Sequence, residues 1–97
     1  MAWEFEWDTK KAEVNPKKHK VSFEEASTVF GDLLSGTIND PEHSRGESRY
    51  ITMGLSSGGK LVVISHTDRD ERIRVLSARK ALPKEVRKYE EETKRYD

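Results

Sequence analysis

The chain has 97 residues with 18 Lys plus Arg against 18 Asp plus Glu, so its formal charge is zero although 37% of it is charged and 33% hydrophobic. That length suits one domain, residues 1–97, around one small core, and the absence of cysteine excludes disulfides, thiol catalysis and Cys-based zinc sites. No apolar run reaches the roughly 18 residues a bilayer span needs, and the acidic, aromatic start is unlike a signal peptide, so a cytoplasmic protein without membrane association is expected.

Ala2-Trp3-Glu4-Phe5-Glu6-Trp7 alternates apolar and charged residues, which predicts a short strand with Trp3, Phe5 and Trp7 on one side. Asp8 can cap a helix from Thr9 to about Val14, and Asn15-Pro16 should end it, because a residue before proline avoids the helical region. Ser22-Phe23-Glu24-Glu25 has capping-box spacing, and Phe23, Ala26, Val29, Phe30 and Leu33 then form one packing stripe, closed by Gly31 to Gly36. Thr37 and Ile38 can begin a strand before a turn-rich loop, Asp40 to Gly46.

Arg49–Leu55 and Lys60–His66 are β-rich runs joined by Ser56-Ser57-Gly58-Gly59, a hairpin, and a turn over Thr67–Glu71 leads to a third strand, Arg72–Ser77. Pro83 suits the first position of a last helix that packs by Leu82, Val86 and Tyr89, and residues beyond about Thr93 should fray. The order predicts an α+β domain: a small antiparallel β-sheet with two N-terminal helices and a C-terminal helix, the helices covering one side of the sheet.

The zero net charge is a cancellation. Residues 1–48 carry 6 basic and 10 acidic side chains, residues 49–97 carry 12 and 8, and the basic excess gathers between Arg69 and Lys88. Such a segment suits phosphate or carboxylate binding, or equally a solvated charged face. Three motifs are decoys. Gly54 to Leu61 nearly spells a phosphate-binding loop, but Leu61 stands where Ser or Thr must ligate magnesium, and Lys60 opens a strand instead of a helix. His19, His43 and His66 match no compact metal-ligand spacing, and Ser44, Ser65 and Ser77 lack a nucleophile elbow. What remains is His43, Glu47 and Arg49 leading into one strand, Arg72 or Arg74 on another, and Arg79-Lys80 before the last helix. These are types that metal-free RNA cleavage uses, a base for the 2′-hydroxyl and cations for the extra charge on phosphorus, and also types that form ordinary ion pairs.

The order and spacing of Phe5-Glu6-Trp7-Asp8, Lys11-Ala12, Asn15, Lys18-His19, Val21-Ser22-Phe23-Glu24-Glu25-Ala26, Asp40, His43-Ser44, Glu47, Arg49 and Ile73 to Ala81 resemble the BrnT-type toxins of type II toxin-antitoxin operons. The resemblance implies a RelE-like fold and a cofactor-free ribonuclease acting on mRNA, free or on the ribosome. It also implies a hetero-oligomer with a BrnA-like antitoxin, through which alone the complex would reach operator DNA. The positions matching the RelE-like site are Arg49, Arg74, Arg79, Lys80 and Tyr89, with Glu47 or His43 as the base. The chain departs from the family pattern at Leu82, where Thr is common, and at Lys20, where Gly is usual. The alternative is a catalytically inactive domain of the same fold that only holds its antitoxin on DNA.

Overall fold

β-branched residues concentrate in the middle of the chain, and there the computed structural model, which describes residues 3–94, has its three long strands. They are β3 (Arg49–Leu55), β4 (Leu61–Arg69) and β5 (Arg72–Lys80). β1 (Phe5–Trp7) and β2 (Gly36–Asn39) complete a five-stranded sheet in the order β1-β5-β4-β3-β2. The helices are α1 (Thr9–His19), α2 (Phe23–Ser27), which continues into a 3-10 turn (Thr28–Gly31), and α3 (Pro83–Thr93). The α+β class is as expected. The expectations for Ala2 and for the tail from residue 95 lie outside the described residues.

The sheet is mixed, because β1 joins β5 in parallel, Phe5 opposite Ile73 and Trp7 opposite Val75. Local alternation tells which residues of a strand share a face but not which way a remote partner runs. In this register Trp7 meets Phe23 edge-on, ring centres 5.8 Å apart, and Phe5 meets Phe30 at 5.4 Å. The core under α1 and α2 is Val21, Phe23, Ala26 and Val29 against Val62, Ile64, Val75 and Ala78.

α1 does not stop at Asn15-Pro16 but runs five residues beyond Val14, to His19. The buried Asn15 amide donates to the carbonyls of Val21 (2.8 Å) and Ala78 (2.9 Å), and its Oδ1 accepts from Ala78 N–H. These bonds offset the helical hydrogen bond that Pro16 cannot donate. Lys20 then closes the helix with φ 62° and ψ 24°, its N–H bonded to the Pro16 carbonyl. A lysine there bears a left-handed backbone that glycine adopts freely. Lys20→Gly should therefore stabilise the fold by about 0.5–1 kcal/mol and raise Tm by about 4 °C in a thermal melt, whereas an unchanged or lowered Tm would show that the turn is unstrained.

Ser22 caps α2 as expected, accepting from Glu25 N–H at 3.0 Å, but Glu25 does not reach back. Its carboxylate accepts instead from the hydroxyl of Ser56 (2.7 Å) and faces Lys60 Nζ at 3.4 Å. The Ser56 hydrogen bond holds its pKa below the ordinary carboxylate value, against the opposing effect of burial. Lys60 is thus tied to Glu25 in a plain hairpin. After one turn α2 tightens into 3-10 geometry, where Ser27 and Thr28 hydroxyls donate back to the carbonyls of Phe23 and Glu25. The packing stripe consequently ends at Phe30, and Leu33 is 99% exposed. The 3-10 turn lies so close to β3 that a Cβ on Gly54 would sit 2.8 Å from atoms of Ser35 and Val29.

Two further differences shape the surface. β4 runs to Arg69 and turns on Asp70 and Glu71 alone, both with positive φ, and β5 continues through Lys80 past an extra residue, Leu76. α3 lies on the sheet face opposite α1 and α2, beside Ile51, Met53 and Val63, and not on the same side as expected. None of its residues is buried. It is held by Arg79–Glu85, by the Leu82 N–H donating to Glu85, and by the Tyr89 hydroxyl donating to Asp32 at 2.7 Å. Leu82 makes no side-chain cap, consistent with its departure from the family pattern. Among the described residues no helix is long and apolar enough to cross a membrane.

Candidate functional site

Alternation along the strands puts Arg49, Ile51 and Met53 of β3, Val63, Ser65 and Thr67 of β4, and Arg74 and Arg79 of β5 on the face that α3 covers only in part. Arg49 pairs in register with Thr67, Thr67 with Arg74, and Arg74 with Glu6. The two arginines therefore flank Thr67 on one rung, about 10 Å apart at the usual strand spacing. Arg79 lies opposite Val63, four residues along β4 from Thr67 and about 13 Å away along the sheet.

Every candidate arginine on this face has a carboxylate neighbour. Arg74 is 2.8 Å from Glu6, Arg72 is 3.4 Å from Glu4, and Glu47 lies between Arg49 (3.8 Å) and Arg69 (3.7 Å). Arg79 makes a two-pronged pair with Glu85 at 2.8 and 3.0 Å, which raises its own pKa and lowers that of Glu85. The acidic first half and basic second half thus interleave in space: Glu4, Glu6 and Glu47 sit among the arginines. The cations with no ion pair among the described residues include Lys10, Lys11, Lys17, Lys18 and Lys20, all on or just after α1.

Arg79 and Lys80 do not act as a pair. Because β5 runs through both, their side chains leave opposite faces. Arg79 points toward Glu85, and Lys80, level with core residue Val62, lies where its charge reaches Glu25. Tyr89 is likewise apart from the Arg49 end. Burial, then the hydrogen bond to Asp32, pushes its hydroxyl up to about 12. Burial works against the charge on Asp32, but the N–H groups of Leu55 and Leu34 and the Tyr89 hydroxyl outweigh it and hold the carboxyl below its usual value.

The sheet does bring His43 and Arg49 together. An open pocket of about 410 Å³ at the end of β3 is lined by Glu42, His43, Arg45 and Arg49. His43 ends a 3-10 turn, Pro41–His43, and its Nδ1 is 2.8 Å from Asp40 Oδ2. The connection is stitched to β3 by Asp40 N–H to the Arg49 carbonyl (2.9 Å), Arg49 N–H to Ser44 Oγ (3.0 Å) and Ser44 Oγ–H to the Asp40 carbonyl (2.7 Å). Arg49 Nε is shielded from solvent with no hydrogen-bond partner. The sequence offers Asp40 only as part of a discounted metal set with the histidines, Glu47 and Asp68, although its three-residue spacing from His43 after a helix-starting proline is a readable signal, since side chains three apart eclipse in a 3-10 turn.

The other histidines lie elsewhere. His19 is on α1, and His66 is buried on β4, 2.7 Å from Thr52 Oγ1 and against Phe30 and Tyr50, where burial lowers its pKa.

A family model described as the ribonuclease toxin, BrnT, of type II toxin-antitoxin systems matches residues 7–85. Among solved structures, the 1.1 Å crystal structure of the ribonuclease toxin BrnT of Brucella abortus is similar in fold, with a TM-score of 0.64 and 18% identity over 84% of this chain and 99% of that one. Among curated proteins no relative matches.

Proposed function

The chain belongs to the ribonuclease toxins, BrnT, of type II toxin-antitoxin systems, whose family model covers residues 7–85, and on that premise we propose that it is a metal-independent endoribonuclease that cleaves mRNA and arrests translation. Membership implies an RNA substrate and a protein antitoxin; a BrnA-like antitoxin in a hetero-oligomer, operator DNA reached only through it, a cytoplasmic setting, a RelE-like relationship and a single domain over residues 1–97 belong to the same proposal. The observation that carries it is the pocket in which an Asp40-bound His43 stands beside Arg49, whose Nε has no hydrogen-bond partner. In this reading His43 is the base and Arg49, with Arg74 on the same rung, stabilises the charge that builds on the phosphate. Glu47 orients Arg49 and Arg69, while Arg79, further along the same face, can meet a neighbouring phosphate by displacing Glu85; Lys80 on the opposite face and Tyr89, held by Asp32, take no part in this reading.

The internal pairing of Arg74 and Arg79 favours a second reading, an inactive domain that serves only to hold the antitoxin. One measurement separates them. Purified, partner-free protein incubated with RNA should give fragments ending in 2′,3′-cyclic phosphate, with the same rate in EDTA. Intact RNA at a verified protein concentration supports the inactive domain, and loss of cleavage in EDTA overturns metal independence.

A further inference from the structure

We propose that Asp40 is a positioning residue that holds His43 in one tautomer, with Nδ1–H on the Asp40 carboxylate and Nε2 turned to the Arg49 pocket as the proton acceptor. The proposal rests on the ribonuclease reading and goes beyond it by choosing between the two candidate bases and naming the group that orients the chosen one.

The geometry supports this in three ways. The 2.8 Å contact is to Nδ1, and an ionised carboxylate only accepts, so in the neutral ring this contact calls for the proton on Nδ1 and leaves the lone pair on Nε2. Asp40 is well covered, its side chain 15% exposed against 62% for His43, so the orienting group is held in the fold while the imidazole remains open to solvent. The backbone stitches to β3 fix the turn before any ligand arrives, and Arg49 comes from the strand that they tie down. Glu47, the other candidate, stands between two guanidinium groups, which suits it to orient cations better than to collect a proton.

The reaction then balances without a metal. Nε2 takes the 2′-hydroxyl proton as that oxygen bonds to phosphorus. The bond from phosphorus to the 5′-oxygen breaks, and the leaving oxygen takes a proton from water in the open pocket. The imidazolium returns its proton to solvent. The products are a 2′,3′-cyclic phosphate and a 5′-hydroxyl.

The test compares the wild type with Asp40→Asn, His43→Ala and the double variant on a short RNA, with kcat and KM measured separately and the ¹⁵N resonances of His43 recorded. An asparagine can accept from Nδ1–H or donate to Nδ1, so it no longer selects one tautomer. Asp40→Asn should lower kcat about 10- to 100-fold with KM changed less than about 2-fold, and His43→Ala should lower kcat by about 100-fold or more. The double variant should be no slower than His43→Ala alone. Wild-type spectra should show the Nδ1–H tautomer, and Asp40→Asn a mixture. Wild-type kcat in Asp40→Asn, a further loss in the double variant, or an Nε2–H tautomer in the wild type would each overturn the proposal while leaving the ribonuclease reading intact. If Asp40→Asn does not fold, the wild-type tautomer decides. A wild-type protein that cleaves no RNA removes the ribonuclease reading and this proposal with it.

Discussion

Arg49→Ala is expected to lower kcat for RNA cleavage by about 10²- to 10³-fold, roughly the effect of removing one donor from a site that stabilises an oxyanion. The argument is a comparison among the arginines. Arg79 spends its fork on Glu85 and Arg74 spends one prong on Glu6, but Arg49 Nε has no hydrogen-bonded partner and Glu47 stays 3.8 Å away. Of these three arginines, the one least committed inside the protein costs least to turn toward phosphate. Arg49→Lys should recover part of the rate, since lysine keeps the charge but loses the fork. Arg79→Ala should cost less in rate and more in stability, because it frees Glu85 and the start of α3. A cleavage rate in Arg49→Ala within twofold of wild type would remove Arg49 from the site. If Arg79→Ala abolished cleavage while Arg49→Ala did not, the centre would lie at the β5–α3 junction.

The second large effect concerns stability. Asn15→Leu keeps the branched shape but removes two hydrogen-bond donations, to Val21 and Ala78, and one acceptance, from Ala78 N–H. Buried backbone groups left without partners cost about 1–3 kcal/mol each, and with partial relaxation the expected loss is about 3–5 kcal/mol. That compares with truncating a large core side chain such as Phe23. It is also a large share of the ~5–15 kcal/mol that holds a domain of this size together. Urea unfolding at equilibrium reads it directly, and a loss below about 1 kcal/mol would mean that water replaces the side chain.

Asn15 also shows why part of the fold was not legible. Asn-Pro reads as a helix end from its own backbone preferences, and those preferences are real. They lose to partners on Val21 and Ala78, the latter 63 residues away, which no local pattern reveals. The capping box at Ser22 shows the opposite balance. The hydroxyl half is local and formed as expected, whereas the Glu25 half was taken over by Ser56 and Lys60 from the hairpin. At the site, the residue types were readable: His43, Glu47, Arg49 and Arg74 do gather at one end of one face. That Arg79 and Lys80 face apart was not readable, because the strand expected to end at Ser77 runs on through both, and in a strand adjacent residues face opposite sides.

The sequence by itself determined the α+β class, the two helix starts at Asp8 and Ser22, the Ser56–Gly59 hairpin and the family, because each rests on short-range spacing or on words matched in order. Zero net charge and an uneven distribution along the chain were also there to read. Only the tertiary structure decided that the acidic and basic halves interleave, that β1 runs parallel to β5, that α3 takes the opposite face, and that Asn15 bonds to Ala78. The physical reason is common to all four. Each depends on which remote groups are brought within a few ångströms, where hydrogen bonds and charges act, and separation along the chain does not encode that distance.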